Sequence, residues 1–195
     1  MATISKAKSS KDNDPIMQGD IYKKVKYSYI DSENESAIDI IEFEFPLAVI
    51  ISQACDVLSM EKILNKKIGK ATKFMPSILL CPIYDKDIAK TSNLLKSAFN
   101  ELGLTLEEDN MYQKDDYKVA LRDWHYRFHA MEIDVMDKKE LNISDAIIDF
   151  KHYFSVPMSY LISNRKNRIC HLDDLFAEQL SLKFATYLSR VAIPD

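Results

Sequence analysis

The pattern of apolar and polar residues is most regular between residues 37 and 52. From 37 to 45, isoleucine and phenylalanine alternate with glutamate, which is the period of a half-buried strand. Pro46 follows, and it fits the first residue of a strand or a bulge better than the middle of a strand. The next residues, 47–52, form an apolar run rich in β-branched side chains that ends at Ser52. This run predicts a central strand buried on both faces.

Other stretches predict the remaining elements. Strands are expected over residues 21–29, 75–83, 124–133 and 147–154, with a bulge or register change near Lys23 and Lys24 and a polar turn over 31–36. Helices are expected over 58–68, with Ser59 as a possible N-cap, and over 85–102, 158–162 and 173–191. Residues 105–116 are acidic and predict a loop. Residues 1–17 predict a disordered tail, followed by a single globular domain over 18–195.

Composition narrows the function classes. The chain has 195 residues, 47% of them apolar, and only 3 glycines, and no glycine-rich nucleotide-binding motif occurs. The net charge is −4, so binding to nucleic acid would need a local basic patch. Cys55, Cys81 and Cys170 are widely spaced and form no CxxC pair, which favours free thiols in the cytoplasm. No apolar run is long enough to cross a membrane, and we expect no cofactor and no metal.

Three short motifs occur in a fixed order in the first 85 residues. They are GDIY at residues 19–22, PLAVIIS at 46–52 and LCPI at 80–83. Their order and spacing resemble the PemK/MazF family of small SH3-like barrels, which are bacterial toxins that cleave RNA. The resemblance covers less than half of the chain and implies a barrel built around residues 47–52.

The family's catalytic positions differ in this chain. The resemblance implies an arginine directly before the proline of the second motif, where Phe45 stands. It also implies a threonine or serine just after the third motif, where Tyr84 and Asp85 stand. RNA cleavage needs a base for the 2′-hydroxyl and a cation or donor for the phosphate charge. The resemblance therefore supports the barrel more than the nuclease activity.

The expected fold class is α+β. We expect a strongly bent antiparallel sheet of five to seven strands, or an SH3-like barrel, decorated by two or three helices. The long C-terminal helix would pack across the sheet, and its apolar stripe belongs to the core or forms a dimer seam.

The densest polar cluster follows the central strand, at residues 52–56. One hypothesis makes Cys55 a nucleophile or ligand and Asp56 the residue that orients its partner, because a reactive thiolate needs a cationic neighbour. The alternative is that Cys55 is a small buried hydrophobe and Asp56 caps the next helix. Ser52 and Gln53 are candidates for binding a partner or nucleic acid.

Residues 124–129 alternate in type. On a strand, the three aromatic residues would share one face, and His125, Arg127 and His129 would share the other. A histidine can titrate near neutral pH and an arginine can bind a phosphate through two hydrogen bonds, so this face is a candidate anion site. The alternatives are a polar solvent face or, if the segment were helical, a metal-binding histidine pair. The aromatic alternation disfavours the helix.

A basic run follows the cysteine cluster. Its candidate binding residues are Lys62, Lys66, Lys67 and Lys70, with Lys73 close by. They favour nucleic acid or an acidic partner, or they form a solvated helix face. The loop at 165–168 has the same two interpretations.

Two functions stay open from the sequence. The first is a non-enzymatic binding or regulatory module of a bacterial accessory system (toxin–antitoxin, mobile element or phage defence) with a protein partner; a second copy and RNA are the other candidate partners, and a membrane is not. The alternative is an RNA-directed endonuclease with a relocated site, in which His125 or His129 is the base and Arg127 holds the phosphate, with Cys55 and Asp56 in the same pocket. A Cys55-dependent hydrolase or transferase is a third reading.

Overall fold

The structure, a computed structural model, describes residues 3–33, 38–85 and 125–189. The strands within these ranges are β1 (Thr3–Ser9), β2 (Asp20–Glu33), β3 (Ile38–Ile50), β4 (Ile78–Asp85), β5 (Phe128–Val135), β6 (Ile143–Asp149), β7 (Phe154–Val156) and β8 (Arg168–Leu172). The α-helices are α1 (Ala54–Lys66), α2 (Met158–Ser163) and α3 (Asp174–Leu188). The expected helix over 85–102 and loop over 105–116 lie outside the described residues, except for Asp85, which ends β4.

The eight strands form one bent sheet in the order β3-β2-β8-β1-β5-β6-β4-β7. β3 also pairs with β4, so the seven strands from β3 to β4 in this order close into a ring that encloses an interior. These seven strands are the closed part of the sheet. The mixed α/β class, the bent sheet and the C-terminal helix were therefore predicted correctly. The expected all-antiparallel sheet is wrong at one place, since β1 runs parallel to β5.

The central strand is buried on both faces, as the apolar run predicted. Val49 and Ile51 belong to a core cluster with residues from all seven strands of the closed part of the sheet and from α3. Ala48 and Ile50 belong to a second cluster on the opposite face, which α1 and α2 cover. Successive side chains of a strand point to opposite faces, so one strand supplies both cores.

The strand break expected at Pro46 does not occur. β3 runs continuously from Ile38 to Ile50 and pairs with β2 on both sides of the proline. The register places Lys24 opposite Pro46, and Lys24 has a left-handed φ of 54°. The backbone is thus distorted where we expected a bulge or register change. The register of β2 shifts against β8 between Ile21 and Tyr22, next to that position, and against β3 between Ile30 and Ser32.

The expected disordered tail over residues 1–17 is wrong for the residues described. β1 lies in the middle of the sheet between β8 and β5. Ser5 and Ala7 are its buried residues, while Ile4 is 59% exposed. The apolar pattern missed this strand because small residues occupy its inward positions. Further along, Ile16 is fully buried.

Helix boundaries differ from expectation mainly at α1. It begins at Ala54 after Gln53, so Ser59 is not its N-cap. The last two helices were predicted correctly within three residues at each end. The strand expected over 147–154 is interrupted by a 3-10 turn, Phe150–His152, between β6 and β7. Within the described ranges, no helix is long and apolar enough to cross a membrane.

Candidate functional site

The residues of the polar cluster after the central strand, at 52–56, differ in their burial. Ser52 is buried, and its hydroxyl accepts a hydrogen bond of 2.8 Å from the Leu79 backbone N–H, which ties β3 to β4. Gln53, Cys55 and Asp56 are exposed at the start of α1. The alternative reading of Cys55 as a buried hydrophobe is therefore wrong. Asp56 lies in the first turn of the helix, where its negative charge is favourable.

Arg127 binds a carboxylate of its own chain. Its Nε and one terminal nitrogen donate to the two oxygens of Asp149 at 2.8 and 2.6 Å. Asp149 is fully buried, and it also accepts a hydrogen bond from the Lys151 backbone N–H. The guanidinium of Arg127, which we expected to bind a phosphate, is therefore bound to Asp149.

The two histidines and Arg127 contact different groups. β5 begins only at Phe128, so residues 125–127 precede the strand and do not alternate as expected. His129 is 5% exposed, and its Nδ1 lies 3.0 Å from the Lys183 ammonium of α3. A lysine ammonium only donates, so this ring nitrogen accepts. Nδ1 of His125 accepts the backbone N–H of Arg127.

A hydrogen-bonded pair of a tyrosine and a histidine, Tyr84 and His152, lies beside Asp149. The Tyr84 hydroxyl is 3.1 Å from His152 Nδ1, which is 3.5 Å from an Asp149 oxygen. Burial lowers the pKa of His152, so its imidazole is neutral at pH 7. Tyr84 stands where the resemblance implied a threonine or serine. The pairing between Tyr84 and His152 joins β4 to the turn before β7, a contact that no local pattern predicts.

The basic run borders an apolar groove of about 440 Å³ at the end of α1. It is lined by Ile63, Leu64, Lys67, Ile68, Gly69, Lys70, Ala71 and Phe74. Ile68 is 80% exposed and Phe74 is 57% exposed. Two large apolar side chains at such exposure, beside a concave surface, are typical of an interaction site.

The local sequence explains why the chain folds back to form the groove. α1 ends at Lys66, and Lys67 has a left-handed φ of 52° that reverses the chain. Gly69 then passes directly over Ile63. A Cβ at position 69 would lie 2.6 Å from Ile63 Cγ1, so only glycine permits this approach without a shift.

Five lysines surround the groove or flank it. They are Lys62, Lys66, Lys67, Lys70 and Lys73, all exposed, and no acidic residue lies between positions 62 and 74. None of their ammonium groups makes a hydrogen bond or ion pair with the residues that the structure describes. In a chain of net charge −4, this is a local basic patch, and the described residues form no ion pair with it.

The sequence identified the lysines but not the apolar floor between them. The sequence predicted a helix that continues to Ile68, so Ile68 was expected on that helix and not in the turn that follows it. The signal that could have located the turn is Gly69 with Ile63 six residues before it.

Comparison of the chain with protein-family models, curated proteins and solved structures finds no match. The site is therefore interpreted from its own geometry.

Proposed function

We propose that this chain is a non-enzymatic binding module of a bacterial accessory system of the toxin–antitoxin, mobile-element or phage-defence kind. It binds an acidic, amphipathic segment of a partner protein in the groove at the end of α1. The single observation that carries this proposal is the apolar groove inside a rim of exposed lysines that form no ion pair with the described residues. Apolar side chains of the partner would fill the groove while its carboxylates face the rim.

The apolar floor and the lysine rim of the groove contribute differently to binding. Burial of apolar surface gives about 25 cal/mol per Å², and Ile68 and Phe74 provide most of the exposed apolar surface here. Lysines at the rim raise the association rate and disfavour basic partners more than they add affinity. A helix that lays one apolar face into a groove is a common recognition mode with this division of roles.

The groove suits a peptide better than single-stranded RNA. Proteins that bind single strands stack bases on several aromatic side chains and often use arginine. Among the described residues that line the groove, Ile63, Leu64 and Ile68 are aliphatic, Phe74 is the one aromatic residue, and none is an arginine. RNA binding at the lysines is therefore an outcome to be tested and is not the proposal.

We further propose that the closed part of the sheet is an SH3-like barrel of the PemK/MazF type. The support is that the three motifs behind the resemblance lie side by side. Ile21 pairs with Val49, and Val49 pairs with Cys81. The bacterial setting of the proposal rests on this likeness. Its location in the cytoplasm is supported by three cysteines that are all free thiols.

Peptide selection tests the binding function. Random 16-residue peptides displayed on phage are selected on the wild-type protein and then counter-selected on an Ile68→Ser, Phe74→Ser variant. We expect enriched peptides to carry apolar residues at helical spacing and several acidic residues. The matched control is Ile40→Ser, which removes a side chain of 65% exposure on another surface and should leave binding unchanged. Enrichment that the control variant abolishes, or peptides without acidic residues, would contradict the proposal.

The pairing of Tyr84 with His152 favours a second candidate, an RNA-directed endonuclease whose base is His152 instead of the His125 or His129 expected from the sequence. A neutral imidazole can accept the 2′-hydroxyl proton, and Tyr84 stands at a catalytic position of the family that the chain resembles. Arg127 is 22% exposed, but it would have to leave Asp149 to hold a phosphate. In an RNA cleavage assay, this candidate requires activity that His152→Asn abolishes and that His171→Asn retains. Cleavage that survives His152→Asn excludes it.

A further inference from the structure

A second cavity lies under the segment that connects β1 to β2, and it shares no lining residue with the groove. Its volume is about 400 Å³. It is lined by Lys8, Ser9, Ser10, Lys11, Asp14, Pro15, Met17, Asp20, Asp137, Arg168 and His171. Nine of these eleven residues have polar side chains, which is unusual for a cavity of this size.

The cavity is built on Arg168 of β8, which is 6% exposed. Its terminal nitrogens donate to the backbone carbonyls of Lys11, Asp14 and Pro15 and to a carboxylate oxygen of Asp20 at 3.0 Å. The connecting segment is thus held by the Arg168 guanidinium, and Arg165 also donates to its carbonyls at Asp12 and Asp14. The walls of the cavity are held in place by buried contacts and do not depend on surface side chains.

The three carboxylates of the cavity already bind donors of the protein. Asp20 binds Arg168, His171 Nδ1 and the Met17 backbone N–H. Asp137 accepts the backbone N–H and the hydroxyl of Ser9. Asp14 accepts the Lys11 backbone N–H at 3.0 Å. The negative groups of the cavity therefore have donors inside the chain.

The groups left without a partner are donors and cations. The ammonium groups of Lys8 and Lys11 are exposed and make no hydrogen bond or ion pair with the described residues. Ser10 Oγ and Arg168 Nε are buried in the same walls, and neither has a hydrogen-bond partner in the described part of the chain. Buried polar atoms without a partner call for an explanation, and a bound acceptor is one. The unused capacity of the cavity is therefore for an anion.

We propose that this cavity binds the phosphate group of a small molecule, with Lys8, Lys11 and His171 facing the anion. His171 is 25% exposed at its side chain; Asp20 holds its Nδ1, and its Nε2 lies 3.8 Å from a carboxylate oxygen of the exposed Asp174. The groups that face this imidazole are Asp20, Asp174 and Arg168. A dianion suits two free lysines better than a single carboxylate does. The site is independent of the groove and of the proposed partner.

Calorimetric titration with inorganic phosphate and, separately, with adenosine 5′-monophosphate tests this site. We expect saturable binding that is about tenfold weaker in a Lys8→Gln, Lys11→Gln variant, since the variant removes two exposed ion pairs with the anion. Lys6→Gln is the matched control, because Lys6 is an exposed lysine on the same strand that does not line the cavity. Circular dichroism of each variant checks that the fold is retained.

The two titrants separate the two sources of a phosphate group. Equal affinity for both assigns the cavity to the phosphate ion, and tighter binding of the monophosphate assigns it to a phosphate ester; either result supports the proposal. The imidazole resonances of His171 in an NMR titration should shift with either titrant. Absence of binding, or binding that the lysine pair does not weaken relative to Lys6→Gln, overturns it.

Discussion

Replacing Arg168 with glutamine tests whether one buried guanidinium holds the start of the chain against the sheet. The side chains of Arg168 and Asp20 are 1% and 2% exposed. Arg168→Gln removes the charge that compensates Asp20 and the hydrogen bonds to the carbonyls of residues 11, 14 and 15. The segment between β1 and β2 would lose its main anchor on β8.

The size of the effect follows from what remains. Removing one partner of a buried ion pair costs about 3–5 kcal/mol, because the other charge is left uncompensated. His171 still contacts Asp20, the Asp14 carbonyl still accepts a hydrogen bond from Arg165, and the carbonyl of the exposed Lys11 can bind water instead. We therefore expect the free energy of unfolding to fall by about 3 kcal/mol. For a chain of this length, that corresponds to a fall in melting temperature of about 6–12 °C.

Urea denaturation followed by circular dichroism measures this change. Lys166→Gln is the control, since it removes an exposed charge from the same turn and should change the free energy by about 0.5 kcal/mol or less. Adding Asp20→Asn to Arg168→Gln should cost little more, because the two residues act as one unit. An Arg168→Gln variant within about 1 kcal/mol of the wild type would refute the reasoning.

Three further outcomes follow from buried groups. Tyr22→Phe should raise the free energy of unfolding in urea by about 1 kcal/mol, because the Tyr22 hydroxyl is buried without a partner among the described residues; a loss would contradict this. The hydrogen bond to Asp20 raises the pKa of His171 above 6.5, so its stabilising contribution is fully present below pH 6.5 and is lost as pH rises through the raised pKa. His171→Gln should remove that pH dependence from the urea midpoints, and a wild-type profile without it would be the contrary result. An aromatic disulfide reagent should label Cys55 in the native protein but Cys81 and Cys170 only in denaturant, since burial raises the thiol pKa of Cys170 to about 12; equal labelling of all three would be inconsistent with the fold.

The parts of the fold that the sequence predicted are those with a strong local period. The run at 47–51 identified the doubly buried strand, and the apolar stripe that includes Leu180 and Phe184 identified α3. In both cases, the buried residues recur at the period of one element and are visible within a short stretch of the sequence. β1 was missed because its inward positions are Ser5 and Ala7, whose small side chains leave no apolar pattern.

The candidate site could be predicted only in part, for a physical reason. Exposed lysines are visible in any sequence, but the floor of the groove depends on the close approach of Gly69 to Ile63. Arg127 was taken for a free phosphate clamp because its partner Asp149 is 22 residues away on another strand. Buried charge pairs are chosen by tertiary contacts, and these contacts have no signature in local spacing.

The central claim concerns where an acidic amphipathic segment binds. The most direct measurement is a ¹⁵N–¹H NMR titration of the protein with a peptide of that type obtained by the selection above. The account predicts that the largest shift changes fall on residues 62–74, and that Ile68→Ser with Phe74→Ser removes them. Changes that concentrate elsewhere, for example on the exposed face of β2 and β3, would contradict it.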